Sequence, residues 1–321
     1  QDQVWELDLA PTSIYPFQIH TTFGLQASSM RVFPNLLQNK QSLFVRGETS
    51  EKIHVSQYYP AILNASVDIE ESLRFQFTIF AIEPDVLVGE LTVENDLEEP
   101  FDLDLQLAAI LTPLGIGLPT HPEKKTNQHI LSGKSADYWP VLIMSGGPSG
   151  ISNPYPALSL PLHILGGSTA RVSWALATMK SQSTSLAKAQ HVLSSNWREQ
   201  AAKQKMSSEA NTIRIKSGNP DWDAAFLSAQ TCAISHLAPL GEIEEKPGLI
   251  RSRLPDDTPT DINIQNRADI TTLEAYHLAQ VILPTHPEIL KQQIKFFLNR
   301  IEDEGSLNSL LQTSSFLKTF K

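Results

Sequence analysis

The feature that most limits what this chain can fold into is a change of hydrophobic period near residue 185. Before it, apolar residues recur at every second position. In Leu73-Arg74-Phe75-Gln76-Phe77-Thr78-Ile79 the alternation is strict, and it is strict again in Phe101-Asp102-Leu103-Asp104-Leu105-Gln106-Leu107. A period of two places side chains on opposite faces of a strand, one face apolar and one wet. Val86 to Val93 and Ala170 to Leu176 repeat the theme, and Val141-Leu142-Ile143-Met144 is a short apolar run. Ala157 to Leu162 carries Pro161, which predicts an edge or strand-end position because proline donates no ladder hydrogen bond. The polar stretch Glu94-Asn95-Asp96-Leu97-Glu98-Glu99-Pro100 reads as a turn, so the strands before and after it are expected to pair antiparallel. So many strands without intervening helix patterns predict a large antiparallel β-sandwich.

After residue 185 the period becomes helical. Asn196 to Met206 is alanine-rich and charged, with no Gly or Pro, and reads as a linker helix; Thr212 to Ile215 reads as a short extended piece. Asn219-Pro220 then starts a helix, with Asn219 as N-cap and Pro220 in the first turn. Asp221 and Asp223 suit the positive end of that helix dipole. Thr271-x-x-Glu274 and Thr285-x-x-Glu288 read as capping boxes for two helices separated by Pro284, which predicts a helical hairpin. A further helix is expected from about Ser309 to Phe320. The predicted fold class is therefore β then α in separate domains. Residues 1–185 form the sandwich, 186–217 a linker helix and a short extended segment, and 218–321 about two helical hairpins.

Composition removes several functions. Among 321 residues there are 25 Lys and Arg against 35 Asp and Glu, a net charge of -10, and no long basic run. That balance argues against a nucleic-acid backbone binder and against docking on an anionic membrane. No stretch approaches the length of a membrane span. The single cysteine, Cys232, allows no internal disulfide and reads as a buried helix residue rather than a nucleophile. The histidines show no metal-ligand spacing, so neither a metal nor another cofactor is expected. Ser145-Gly146-Gly147-Pro148-Ser149-Gly150 lacks the lysine of a phosphate-binding loop and reads as a connection between strands. Asn64-Ala65-Ser66 matches the N-glycosylation pattern. The start, Gln1-Asp2-Gln3, shows no signal peptide, which favours a cytoplasmic setting and leaves a removed secretion signal open.

One segment is dense in hydrogen-bonding side chains. From Lys246 to Asp269 it carries Arg251, Arg253, Asp256, Asp257, Asn263 and Gln265 among prolines. A long irregular loop inside a compact domain is either functional or simply a solvated surface, and planar polar side chains suit hydroxyl-rich ligands.

Particular stretches resemble a known family. Gly218-Asn219-Pro220-Asp221-Trp222-Asp223, Ser252-Arg253-Leu254-Pro255-Asp256-Asp257 and Leu273-Glu274-Ala275-Tyr276-His277-Leu278-Ala279 occur in that order, followed by Phe297-Leu298 and Glu302 to Ser306. They resemble inverting glycoside hydrolases of the glucoamylase, glycogen-debranching and processing-glucosidase type. The resemblance implies an N-terminal supersandwich and a six-hairpin α/α toroid. It implies action on α-linked sugars, with an oligosaccharide or polysaccharide as partner and a sugar-facing rim of Trp222, Asp223, Arg251, Arg253, Asp256 and Asp257. Each of these has a plainer reading. Trp222 could belong to the core, Asp223 could serve only the helix dipole, and the arginines could pair with Glu242, Glu244 or Glu245. The Gly-Asp-Gly stretch and tryptophan expected before the Leu-Glu-Ala helix are replaced by Pro259 to Asn263. Two hairpins are a third of a toroid. The expectation is therefore a truncated, catalytically incomplete helical domain, with a second chain as the partner that would complete it and no catalytic pair named. The alternative is a non-catalytic carbohydrate-binding or scaffold protein, with Tyr58, Tyr59, Tyr138 and Trp139 as a stacking platform on the sandwich.

Overall fold

The computed structural model describes residues 5–9, 15–21, 27–46, 53–59, 61–70, 72–113, 115–210, 212–239, 247–249 and 272–304. The chain divides into two compact units, Gln1–Lys203 and Gln204–Lys321.

The first unit is a sandwich of two antiparallel sheets. One contains β1 (Glu6–Asp8), β2 (Gln18–Thr21), β3 (Ala27–Gln38), β9 (Phe101–Pro113), β14 (Ala157–Ile164) and β13 (Ser149–Ile151) in that spatial order. The short β4 (Gln41–Ser42) pairs with β3 and leads into the single turn α1 (Leu43–Arg46). The other sheet runs β10 (Leu118–Lys125), β11 (Gln128–Lys134), β12 (Trp139–Met144), β15 (Ser168–Met179), β8 (Val86–Asn95), β7 (Leu73–Glu83), β6 (Ile62–Glu70) and β5 (Ile53–Tyr59). The alternating residues do what their period demands. Phe75, Phe77, Leu91, Leu105, Leu107 and Trp174 meet Phe17, Met30 and Leu36 between the sheets, all almost fully buried. The Phe17 and Phe77 rings stack with centroids 3.9 Å apart. Pro161 sits where β14 pairs with β9 on one side while β13 reaches only Ala157 to Ser159 on the other, the open position its missing donor requires.

One pairing expectation fails. The strands on either side of the Glu94–Pro100 turn do not pair: β8 lies between β7 and β15, and β9 lies between β3 and β14 in the opposite sheet. The turn is a crossing from one sheet to the other, and buried Asn95 holds it in place. Asn64, half-buried in β6, donates its amide to Gln57 at 2.7 Å, so the glycosylation tripeptide is part of a paired strand.

The outer face of the second sheet is covered by helix. α2 (Gln182–Ser194) begins at Ser181, whose hydroxyl accepts from the Thr184 amide. Its buried residues are Ser185, Ala189 and Val192. They pack with Ala175, Ala177, Val86, Val88 and Ile143, the small and branched residues on the strand faces opposite the inter-sheet core. Trp197, at the start of α3 (Trp197–Ala210), completes this cluster. Ser185 Oγ donates to the Trp139 carbonyl at 2.6 Å and accepts from the Met179 amide at 2.8 Å, fastening helix to sheet.

The second unit contains α4 (Pro220–Ser235), a two-stranded ribbon of β16 (Leu237–Pro239) and β17 (Pro247–Leu249), and the helical hairpin α5 (Thr272–Ile282) and α6 (Pro287–Glu304). Its core is Ala233, Leu249, Ala275, Ala279, Ile282 and Leu290. Buried Gln230 on α4 acts as a substitute strand for Ile213, accepting from its amide at 2.9 Å and donating to its carbonyl at 2.8 Å. Thr285 does not cap α6. Its hydroxyl donates back to the Ile282 carbonyl, closing α5, and α6 starts at Pro287. The predicted helix near Ser309 to Phe320 lies outside the described residues.

Candidate functional site at the start of helix α4

The sequence Ser217-Gly218-Asn219-Pro220 builds this site. Gly218 has φ +87°, a left-handed conformation that disfavours any residue with a Cβ, and it turns the chain into the helix. Asn219 then takes an extended backbone, and its Oδ1 accepts from the Asp221 amide at 3.0 Å. Pro220 follows in the first turn, where its missing N–H costs nothing. Asp223 Oδ1 accepts from both the backbone amide of Ser217 at 2.9 Å and its hydroxyl at 2.7 Å. Those two bonds to Ser217 stabilise the carboxylate and hold its pKa below the usual value.

The sequence-predicted rim residues separate into three groups. Trp222 is 68% exposed, so it does not belong to the core. Asp223 is a neighbour of Trp222 whose carboxylate braces the residues before the helix. Arg251, Arg253, Asp256 and Asp257 lie outside the described residues. Cys232, expected to be buried, is exposed on α4. His236 is the helix C-cap, its amide bonded to the carbonyls of Ala233 and Ile234.

The aromatic platform proposed for the sandwich does not exist as a shared surface. Tyr58 is exposed, Tyr59 packs against the cluster under α2, and Tyr138 is buried in the inter-sheet core. Trp139 is half-buried with the Lys134 ammonium 5.5 Å from its ring centroid. Among the described residues no group of three or more His, Cys, Asp or Glu is placed to hold a metal ion. Among them also, no helix is long and apolar enough to cross a membrane.

A large antiparallel sandwich is followed by a small helical unit with a hairpin, the order of parts expected from the sequence. In particular, the chain is similar to a bacterial glucoamylase solved in complex with acarbose. The TM-score is 0.60 at 11% identity, covering 95% of this chain and 52% of that one. The chain thus spans about half the length of that glucoamylase, and identity this low shows the fold alone. A human-microbiome protein described as a kojibiose phosphorylase matches with TM-score 0.44 at 10% identity, over 73% of this chain and 35% of that one. A galactose mutarotase-related enzyme from Lactobacillus acidophilus matches with TM-score 0.34 at 5% identity, over 55% and 97%. At these two scores nothing follows for this chain. No protein-family model and no curated protein matches the sequence.

Proposed function

We propose that the protein is carbohydrate-active and that its helical unit contributes a sugar-facing rim to the inverting hydrolysis of α-linked glycosides. The observation that supports this most is the likeness over 95% of the chain to a glucoamylase solved with acarbose. In this reading residues 1–185 are a supporting sandwich, 186–217 a connection, and 218–321 part of a helical toroid that a further segment or second chain completes. The partner is an oligosaccharide or polysaccharide, and the setting is cytoplasmic.

The exposed Trp222 indole offers a flat apolar face to the C–H side of a sugar ring. Asp223, ionised and held by Ser217 through Oδ1, presents its other oxygen as an acceptor for sugar hydroxyls. Arg251, Arg253, Asp256 and Asp257 supply the planar donors and acceptors of the same rim. Inverting chemistry then needs an acid to protonate the leaving oxygen and a base to activate water, with carboxyl groups roughly 6.5–9.5 Å apart.

The test is release of glucose or maltose from α-linked gluco-oligosaccharides by this chain and by a chain extended through a complete toroid, with the product anomer followed by NMR; activity in neither, with both folded, counts against hydrolysis. Inversion gives the β-anomer first. Trp222→Ala is expected to weaken oligosaccharide binding about tenfold, the loss of one stacked aromatic contact. A folded protein that neither hydrolyses nor binds any α-glucan overturns the proposal.

A further inference from the structure

The outer face of the first sheet carries a row of polar side chains that the reading above does not use. The period of two builds it. Leu103, Leu105 and Leu107 of β9 point between the sheets, so Asp104, Gln106 and Ala108 point away from that core. Antiparallel register then carries the row across four strands. Asn35 of β3 lies opposite Gln106, Gln106 opposite Ser159 of β14, and Ser159 opposite Ser149 of β13. Directly opposed residues share a face with Cβ atoms about 4.5–5.5 Å apart, so these side chains stand side by side.

The row is sheltered at one end and open at the other. Asn35 is 3% exposed, Gln106 6% and Ser159 8%, whereas Ser149 is fully at the surface. One flank is an aromatic wall. The neighbouring row of Phe33, Ala108 and Ala157 is buried beneath Tyr15 and Tyr155, whose ring centroids lie 4.7 Å and 5.3 Å from that of Phe33. On the other flank half-buried Asp104 stands opposite exposed Pro161.

The fold uses Asn35 in full. Its Nδ2 donates to the Tyr155 hydroxyl at 2.7 Å, and its Oδ1 accepts from the Ser42 hydroxyl at 2.8 Å. Its neighbours in the row are not used. Neither the Gln106 amide nor the Ser159 hydroxyl has a hydrogen-bond partner among the described residues. They also differ from the sealed, unpaired groups of Trp174 and Thr120, because both keep a small contact with water. Holding a glutamine side chain in place costs rotamer entropy, and here no bond offsets it. An unpaired amide and an unpaired hydroxyl, adjacent, sheltered and still reachable, point to a ligand that completes them. Amide and hydroxyl each donate and accept, which suits neighbouring hydroxyl groups. The row and the rows flanking it contain no lysine or arginine, and Asp104 would repel an anion.

We infer that this strip binds a neutral sugar ring, its hydroxyls on Gln106 and Ser159 and its apolar side toward the wall of Phe33 and Tyr155. The choice of a sugar rests on the carbohydrate reading; the unpaired row does not.

The experiment is amide NMR of the whole protein, following the Gln106 side chain while D-glucose, maltose, maltotriose and lactose are added. Saturable shifts with a Kd of about millimolar order are expected there for at least one of them. Gln106→Leu keeps the approximate size and removes the amide. Read from the backbone amides of Asp104 to Ala108, it is expected to weaken binding about tenfold while melting no lower than the parent. Ser159→Ala, a smaller change, is expected to weaken binding about threefold. No saturable shift at Gln106 with any of these sugars, or undiminished binding in both variants, overturns the inference. So does a lower melting temperature of Gln106→Leu with binding intact, which would assign the amide to the fold. Shifts at Gln106 without α-glucan hydrolysis and without any effect of Trp222→Ala would fail the glycosidase reading alone. A sugar site that depends on Trp222 while Gln106 stays silent would fail this inference alone.

Discussion

Asn95 is expected to be the most costly polar residue to remove from the sandwich. Two chain crossings lie side by side there. One carries the chain from β8 to β9, from the second sheet to the first, and the other returns it from β14 to β15. The Asn95 side chain, 0% exposed, joins them. Its Nδ2 donates to the Glu99 carbonyl at 2.9 Å and the Ile164 carbonyl at 3.1 Å, and its Oδ1 accepts from the Leu97 amide at 3.1 Å. The Gly167 amide adds a bond to the Leu97 carbonyl at 3.0 Å. Gly166 lies so close that a Cβ would come within 2.1 Å of the Glu98 carbonyl oxygen. In Asn95→Ala, the buried Ile164 carbonyl is orphaned at about 1.5 kcal/mol. The Leu97 and Glu99 groups, nearer water, lose about 0.7 kcal/mol each. The sum is about 3 kcal/mol, or a melting shift of about 6–12 °C for a unit of this size. Asn95→Asp keeps the shape but turns a carboxylate toward carbonyl oxygens. Burial and those oxygens would raise its folded pKa above the unfolded value of about 3.9. The penalty is then full at neutral pH and is relieved as pH falls through the raised folded pKa. Urea unfolding in a Trp222→Phe background would measure both variants, because the other four of the five tryptophans, Trp5, Trp139, Trp174 and Trp197, lie in the first unit. A loss under about 1 kcal/mol for the alanine variant, or near-parental stability for the aspartate variant at pH 7, would refute this account.

Four further outcomes are expected. Gly89→Ala places a Cβ 2.3 Å from the Thr78 carbonyl oxygen and 2.8 Å from the Trp174 ring, so soluble yield should collapse, and Trp174→Leu in addition should not restore it because the backbone clash remains. Asn219→Ala should cost about 1 kcal/mol and speed amide exchange over residues 221–224 without touching the sandwich transition. Asp223→Asn should speed exchange in the same turn, and because the carboxylate's folded pKa is depressed, its contribution is present above the unfolded value and lost as pH falls through the folded one. Burial lowers the pKa of His286, which favours its neutral form in the folded state. Stability of the helical unit should therefore decline as pH falls from about 6.5 toward the folded pKa, and His286→Gln should flatten that decline in a melting series.

The β half was legible because burial between sheets enforces a strict period of two, and Phe75, Phe77, Leu105 and Leu107 carry it without exception. What the period cannot say is which sheet a strand joins. Glu94 to Pro100 has the composition of a hairpin turn, and the same polar residues serve a sheet-to-sheet crossing once Asn95 is buried among carbonyls. The α2 helix was unreadable in detail because the face it buries is Ser185, Ala189 and Val192, small residues that suit close packing on Ala175 and Ala177 and give no apolar stripe. Thr285 misled because a hydroxyl can cap forward or bond back one turn, and here it bonds back. Of the candidate site, the start of α4 was legible to the residue, since Gly218, Asn219 and Pro220 each have a backbone reason.

The six residues at the start of α4 do not share its structural duties equally. Gly218 makes the turn, Asn219 caps, Pro220 fixes the first helical φ, and Asp223 braces Ser217. Those four account for the local fold. Trp222 has no part in it: the indole is 68% exposed, in a unit whose core is built from Ala233, Leu249, Ala275, Ala279, Ile282 and Leu290. A single exposed apolar residue is ordinary on a protein surface, but an indole is the largest such group, and the next residue, Asp223, is a carboxylate held ionised by its bonds to Ser217. The physical contrast is what gives the site its meaning. A residue kept for the fold should cost stability and spare binding when truncated, as at Asn219, whereas truncating Trp222 should leave the melting curve unchanged and register only when a sugar is present.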